Sequence, residues 1–365
     1  MKILLVSGIY PPDIGGPANF IPKLAEYLLA SGHTPTVLTL GSQNSFESLD
    51  GYKVIKIKRN LPKIIRIPLV FFVLLLETLK SDRLFSNGLY LESACCLLLT
   101  KKSGTAKIVG DQLWERDFNN NRTQLDALQF SLQRNYGFKT FIMRKLLNWS
   151  FNRFQRIITP SELLVELSSI WKLRAEVSFI PNGVEPPILN LTEKKYDLIT
   201  VSRLITLKRI DKLIEIASKL DLSLAIVGTG PAEANLKILA KELDSKTSFF
   251  GYLNQSQILP LLEQSRYFAL FSVHEGLSFA LLEAMAAGIP PIASRVNGNE
   301  AVISNQIDGY LVDVDDPQIC TKQIKDIFDS NNNYTSLSKN AIEKIRNNYS
   351  LEFTLLRTTD VILEN

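Results

Sequence analysis

Two glutamates separated by seven residues, Glu275 and Glu283, mark the stretch of the chain with the most chemical potential: His274-Glu275-Gly276-Leu277-Ser278-Phe279, then Ala280 to Gly288. The pattern reads as a strand end, a glycine-containing turn that carries Glu275, and a helix that starts near Ser278 and stops at Gly288. Such a helix aims its free backbone N–H groups and positive dipole end at the turn, a pocket suited to a diphosphate. Helical rise puts Glu283 roughly 12 Å beyond Glu275, too far for the two carboxylates to share a proton. They suit hydroxyls at two ends of an extended ligand, such as a sugar and a ribose; for Glu283 a plain exposed helix acid is the alternative.

A second cluster runs from Val201 to Asp211 and holds Arg203 directly after a strand and Lys208 near a helix start. A guanidinium offers forked contacts to phosphate and an ammonium a point charge, although Arg203, Lys208 and Arg209 also read as surface charge. The loop Pro12-Asp13-Ile14-Gly15-Gly16-Pro17 has two glycines that let backbone approach a ligand, or that simply turn. It lacks the three-glycine spacing of a dinucleotide fingerprint. Gly228-Thr229-Gly230-Pro231 follows a strand without the Gly-Lys-Ser/Thr of a phosphate loop, so it reads as a turn and simple nucleotidase or kinase chemistry loses support. With two histidines, His33 and His274, and three cysteines, two of them the adjacent Cys95 and Cys96, no zinc framework is expected.

These residues need strands to end beside them, and the chain supplies strand and helix patterns in alternation, as an α/β protein with largely parallel sheets would. Lys2–Ser7, Ala18–Ala30 and Thr36–Leu40 read as one βαβ unit. Phe138–Phe154 reads as a long helix, Arg156–Thr159 as a strand before a helix cap at Ser161, and Phe179-Ile180 as a strand before Pro181-Asn182-Gly183. Gly183–Lys195, with Pro186-Pro187, is the linker candidate. The same grammar then restarts: strands at Tyr196–Ser202, Leu222–Val227, Ser248–Phe250 and Tyr267–Ser272, helices at Asp211–Lys219, Ala232–Leu243 and Gln255–Gln264. Two doubly wound domains follow, with ligands expected beyond the carboxyl ends of the strands. The acidic run Asp313 to Asp316 reads as a loop before Pro317, and Asn331-Asn332-Asn333 as another loop.

The chain has 365 residues, 45% hydrophobic and 21% charged, enough for about two globular domains. A net charge of +4 is too small to argue for nucleic acid, but residues 1–185 hold 23 Lys+Arg against 15 Asp+Glu, and residues 186–365 hold 18 against 22. The basic first half suits anionic lipid headgroups, a lipid-linked phosphate or a phosphorylated substrate, with a mixed solvated surface as the alternative. No signal peptide is read at Met1 to Pro12, and the cysteine usage fits a reducing cytosol. The apolar run Ile67–Leu76 is shorter than the roughly 20 residues of a membrane span and reads as a buried helix, with an interfacial patch as the alternative.

In order and spacing, Gly15-Gly16, Ser161-Glu162, Pro181-Asn182-Gly183, Ser202-Arg203-Leu204 with Lys208 and Asp211, Gly228 to Pro231, Phe250-Gly251-Tyr252, and His274-Glu275-Gly276 with Glu283 resemble the retaining glycosyltransferases of family four. The resemblance covers nearly the whole chain. It implies the GT-B fold: two facing Rossmann-like domains, 1–183 on the acceptor side and 184–348 binding the nucleotide sugar, with 349–365 returning to the first through a helix spaced at Phe353, Leu356 and Val361. It also implies that Arg203 and Lys208 hold the diphosphate, Glu275 the sugar hydroxyls and Glu283 the ribose, with Gly15, Gly16, Tyr252, Leu253, Gly276, Leu277 and Ser278 completing the donor site. No cofactor and no metal is implied, and the acceptor is a glycan or lipid-linked molecule.

Two departures stand out. Many such enzymes carry a first-domain histidine where this chain reads Gly110-Asp111-Gln112-Leu113-Trp114-Glu115-Arg116, wording that resembles a subgroup and makes Asp111 the acceptor-side catalytic candidate. Paired glycines and Pro-Glu are replaced by Asn297-Gly298-Asn299-Glu300. The function expected is sugar transfer with retention in surface polysaccharide or glycolipid assembly, in the cytoplasm and with peripheral membrane contact through the basic half. The alternatives are a nucleotide-sugar epimerase of the same shape, which should convert donor without acceptor, and a silent nucleotide-sugar-binding subunit, which should bind and never transfer.

Overall fold

The computed structural model describes residues 1–13, 15–49, 51–120, 122–133, 137–187, 192–330 and 334–364. The Asn331-Asn332-Asn333 loop lies outside them, as does part of the linker candidate. The chain divides into two compact units, one of residues 1–114, 128–181 and 353–365, the other of 115–127 and 182–352. Residues 115–127, expected in the first domain, group with the second unit. They belong to a connection between two parallel strands that is far longer than the dozen residues a crossover requires, so part of it is free to pack elsewhere.

The first unit starts with β1 (Lys2–Ser7), α1 (Gly16–Ala30), β2 (Thr34–Gly41), β3 (Ser45–Leu49) and β4 (Tyr52–Lys58). It continues with α2 (Lys63–Lys80), β5 (Arg83–Asn87), α3 (Tyr90–Thr100) and β6 (Ser103–Lys107). Then come α4 (Gln112–Asn119) and α5 (Ala127–Leu132), which straddle the unit boundaries, α6 (Phe138–Phe151), β7 (Arg156–Thr159), α7 (Glu162–Ile170) and β8 (Glu176–Phe179). The sheet order is β3-β4-β2-β1-β5-β6-β7-β8, parallel except for the β3–β4 hairpin. β1 is a continuous buried run from Ile3 to Ser7 because helices cover both sheet faces.

The second unit holds β9 (Tyr196–Val201), α8 (Ile210–Lys219), β10 (Leu224–Val227), α9 (Glu233–Glu242), β11 (Thr247–Gly251) and α10 (Gln255–Glu263). After these come β12 (Ser265–Leu270), α11 (Phe279–Ala286), β13 (Pro291–Ser294), the single turn α12 (Asn297–Glu300), β14 (Tyr310–Val312), α13 (Pro317–Asp329) and α14 (Tyr334–Asn348). The sheet is all parallel in the order β11-β10-β9-β12-β13-β14. Its two faces carry separate cores, one around Leu213, Ile226 and Phe271, the other around Phe268, Leu281 and Met285. Local signals agree with these boundaries: Asn254 and Gln257 form a capping box at α10, and Asp316 caps α13 ahead of Pro317. The acidic run therefore ends in a helix cap.

The last helix, α15 (Leu351–Leu363), joins the first unit from Phe353 onward, where Thr354 Oγ1 donates to Pro181 O (3.0 Å) and Arg156 to Glu364 O (2.7 Å). Its buried positions are Leu351, Leu355, Val361 and Ile362 with three threonines, while Phe353 and Leu356 are half exposed. The expected stripe is thus corrected at two of its three positions: the buried threonines rotate the packing face away from the hydrophobic spacing.

The expectation for Ile67–Leu76 is corrected as well. The run lies within α2, yet only Val70, Leu74, Glu77 and Thr78 of that helix are buried, while Ile64, Ile65, Ile67, Phe72, Leu76 and Leu79 are exposed. A helix apolar on every side gives no periodicity from which to read its inner face. Among the described residues no helix is long and apolar enough to cross a membrane.

Lys107, at the end of β6, is fully buried; its Nζ makes no hydrogen bond and sits 3.8 Å over the Phe20 ring. Burial pulls its ammonium down from 10.5 to about 7, worth roughly 5 kcal/mol and more than the ~2 kcal/mol of a desolvated cation–π contact. Between about pH 7 and pH 10.5 the unfolded chain holds this proton and the native protein does not, so native stability rises with pH across that window. Lys107→Met should therefore melt several degrees above wild type at pH 7, the gap closing toward pH 10, as read by circular dichroism.

Candidate active site

All strands of the second unit's sheet are parallel, so the loops that follow them emerge at one edge. Chain order reverses between β9 and β12, which makes that gap the topological switch point where open α/β sheets hold ligands. Arg203 and Lys208 follow β9; Val273 to Ser278 follows β12. The two loops are joined where Val273 N donates to Leu207 O (2.9 Å), and Lys208 Nζ forms an ion pair with Glu275 Oε1.

Glu275 is held rather than loose. It is 8% exposed, and Ser272 Oγ donates to the same carboxylate oxygen at 2.5 Å. The turn beneath it is stitched from two sides: Ser294 Oγ donates to Ser272 O (2.6 Å), and Asn182 Nδ2 to Leu277 O (3.1 Å). Gly298 packs on this turn so closely that a Cβ would overlap the carbonyl of Glu275. The Asn297-Gly298-Asn299-Glu300 departure thus keeps its glycine where backbones touch, while Glu300 is exposed and Asn299 Nδ2 donates to Ser294 O (3.0 Å). Ser278 caps α11 by accepting from Leu281 N (3.3 Å), which leaves the first amides of that helix pointing toward the turn.

Arg203 is exposed and, among the described residues, makes no ion pair. Its place is set by backbone contacts: Leu204 N donates to Thr229 O and Ala232 N to Leu204 O, both 3.0 Å. Gly228, at φ +132°, lies where a Cβ would collide with the carbonyl of Ser202. The Gly228–Pro231 turn therefore acts as a backbone platform beneath Arg203. Arg209 is drawn away to Asp315 (2.6 Å). Farther along the edge, exposed Tyr252 and half-buried Leu253 follow β11, and Gln255 Nε2 links their loop to Glu283 Oε1 (3.3 Å). Arg203, Lys208, Tyr252, Leu253, Glu275, Gly276, Leu277, Ser278 and Glu283 thus occupy one edge of one sheet. A cavity of about 520 Å³ near β14, lined by Arg295, Gln306, Tyr310 and Gln323, includes none of them.

In the first unit Gly15 caps α1 and Gly16 begins it, in the loop after β1, which lies beside β5 at that sheet's own reversal of chain order. The loop is pinned by Asp13, which pairs with both terminal nitrogens of Arg59, while Arg59 also donates to Leu40 O (3.1 Å). Arg59 holds the Asp13 carboxyl below its ordinary range. Sequence reading missed this clamp, as it missed Ser272 and Gly298; a signal existed only for Asp13, beside the glycines.

Asp111 lies in the first unit, at the turn into α4. Its Oδ1 accepts from Leu113 N (3.1 Å) and Trp114 N (3.3 Å), the geometry of an N-cap on α4. Its Oδ2 accepts from Ser131 Oγ (3.3 Å) and Arg144 (2.5 Å), and its side chain is 1% exposed. A carboxylate so engaged caps α4 and ties it to Ser131 of α5 and Arg144 of α6.

Residues 14–186 match the model of Glycosyltransferase Family 4 and residues 184–344 that of Glycosyl transferases group 1. The chain is 29% identical over 168 residues to the N-acetyl-alpha-D-glucosaminyl L-malate synthase of Bacillus anthracis, 44% of each chain. It is 27% identical over 213 residues to the UDP-Gal:alpha-D-GlcNAc-diphosphoundecaprenol alpha-1,3-galactosyltransferase of Escherichia coli, 52% of this chain and 54% of that one. These matches span about half the length of each relative. A GDP-mannose-dependent monoacylated phosphatidylinositol monomannoside mannosyltransferase of Corynebacterium glutamicum is 23% identical over 350 residues, 90% of this chain and 89% of that one. Among solved structures, sucrose-phosphate synthase from Thermosynechococcus elongatus superposes with a TM-score of 0.80 at 18% identity, covering 99% of this chain and 98% of that one. HepE from Anabaena, in complex with UDP-glucose, gives 0.74 at 14% identity, covering 99% of both chains. Family matches run from residue 14 to residue 344, and over nearly all of its length the chain has the GT-B fold.

Proposed function

We propose that the chain moves a sugar, with retention, from a nucleoside-diphosphate sugar to a hydroxyl of a glycan or lipid-linked acceptor in surface polysaccharide or glycolipid assembly. The observation that carries this reading is the convergence of Arg203, Lys208, Glu275 and the N-terminus of α11 at the switch point of one parallel sheet. The relatives agree in kind: one is named for UDP-Gal and a diphosphoundecaprenol-linked acceptor, another for GDP-mannose and a phosphatidylinositol mannoside.

In this reading Arg203 forks onto the diphosphate and Lys208 turns to it from Glu275. Glu275 then accepts from sugar hydroxyls, Glu283 from the ribose, and Tyr252 and Leu253 flank the base. Charge that grows on the leaving diphosphate is met by Arg203, Lys208 and the α11 amides, so no metal ion is required. The acceptor attacks on the face the diphosphate leaves, and the departing oxygen takes its proton. Gly110-Asp111 with Trp114-Glu115-Arg116 marks a subgroup in which Asp111 caps α4. The proposed compartment is a reducing cytosol, a reading supported by the free thiols of Cys95, Cys96 and Cys320.

A panel of UDP-, GDP- and ADP-sugars scored by thermal shift tests the reading, because a ligand held by the folded state alone raises its melting temperature. One nucleotide class should raise it by several degrees, undiminished by EDTA, and Lys208→Ala should abolish the rise. No rise with any donor would overturn the reading, and an inverted anomeric centre in the product would overturn retention.

A further inference from the structure

We propose that the outward faces of α2, α3 and α6 form one contact surface that beds onto an anionic lipid bilayer. The proposal deepens the lipid-linked acceptor reading but does not depend on sugar transfer, since vesicle binding is measured without it. The sheet order and right-handed crossovers put these helices on the sheet face opposite α1, and α3 packs against both α2 and α6. What they bury is spaced by four on α2, at Val70, Leu74 and Thr78.

The other side of α2 carries exposed Ile65, Phe72, Leu76 and Leu79, a stripe of about 21 Å by helical rise. α3 adds Leu98 and Leu99, and α6 adds Phe138 at 80% exposure with Phe141, Ile142 and Leu146. Side chains of this size, exposed on three helices that pack in a row, exceed the scattered apolar exposure normal for a protein surface.

Charge selects the occupant. The three helices hold six Lys+Arg against two Asp+Glu; Arg144 is buried against Asp111, and Glu77 is buried and paired with Lys53 and Lys80, which leaves five cations against Glu92. Lys63 and Lys80 stand at the two ends of α2, Lys139 and Lys145 on α6, and Lys101 and Lys102 directly after α3. Long cationic side chains around an apolar stripe reach the headgroup level while the stripe enters the acyl boundary. Two copies docked through this face would set like charges against each other; an anionic bilayer supplies the opposite sign.

Co-sedimentation with phosphatidylcholine vesicles, plain or with about 30% phosphatidylglycerol, tests the proposal. Most of the protein should sediment with the anionic vesicles at low salt, little with the neutral ones, and high salt should release it. The double variant Phe72→Asp, Leu76→Asp, or Phe138→Asp on α6 should one folds poorly, should weaken binding at least tenfold. Its melting temperature and its response to nucleotide sugars should not change. Failure to sediment, equal binding to neutral vesicles, wild-type binding by a folded variant, or a dimer that the double variant dissolves without any vesicle binding would each overturn it. Vesicle binding together with a silent donor panel would sink the transferase reading and leave this one standing.

Discussion

Glu275→Ala is expected to lower kcat/KM for sugar transfer by about 10²–10³-fold, the loss typical of one preorganised electrostatic contact in a dry site. The carboxylate is nearly buried, and Ser272 and Lys208 fix its direction. Its removal deletes the acceptor for a sugar hydroxyl and releases Lys208, whose ammonium then rests on the diphosphate alone. The two effects pull donor affinity in opposite directions, so KM should move less than kcat. Glu275→Gln separates them: it keeps a carbonyl oxygen in place for the hydroxyl but loses the ion pair, and should recover part of kcat. Steady-state kinetics on both variants, with melting curves to show that each is folded, provide the measurement. Turnover of Glu275→Ala within twofold of wild type would remove Glu275 from the site.

The edge on which Glu275 sits was legible in the sequence for a physical reason. Parallel strands are buried on both faces and read as apolar runs, so β9, β10 and β12 announce themselves, and the polar or glycine residue ending each run marks the edge where ligands bind. Arg203, Gly228 and Glu275 were found in that way. The hairpin strand β3 escaped because Ser-Phe-Glu-Ser-Leu is short and mixed, although the Asp50-Gly51 pair behind it is a hairpin signal. Partners distant in sequence escaped as well: Ser294 to Ser272, Gly298 to Glu275 and Arg59 to Asp13 are long-range contacts that no local pattern encodes. The outer face of α2 was hidden by its uniform greasiness, and the buried contacts of Asp111 were hidden because a carboxylate at a strand end looks the same in sequence whether it meets a ligand or caps a helix.

That ambiguity makes Arg144 the most informative residue for stability. Its guanidinium pairs with Asp111 at 2.5 Å and lies 4.9 Å over the Trp171 ring, while Trp171 Nε1 donates to Ser131 Oγ (3.2 Å), which donates in turn to Asp111. Arg144→Leu leaves a carboxylate buried without its counter-charge, and breaking such a pair from one side costs about 3–5 kcal/mol. For a unit of this size that is roughly a 10 °C fall in melting temperature. Removing both charges in Asp111→Leu, Arg144→Leu should recover much of the loss, because the uncompensated carboxylate rather than the missing attraction carries most of the cost. Asp111→Asn then discriminates the two roles of that residue. As a helix cap within a buried network it should lower the melting temperature while enzyme assayed well below that temperature turns over near the wild-type rate. A variant that melts like wild type and transfers no sugar would return Asp111 to the chemistry.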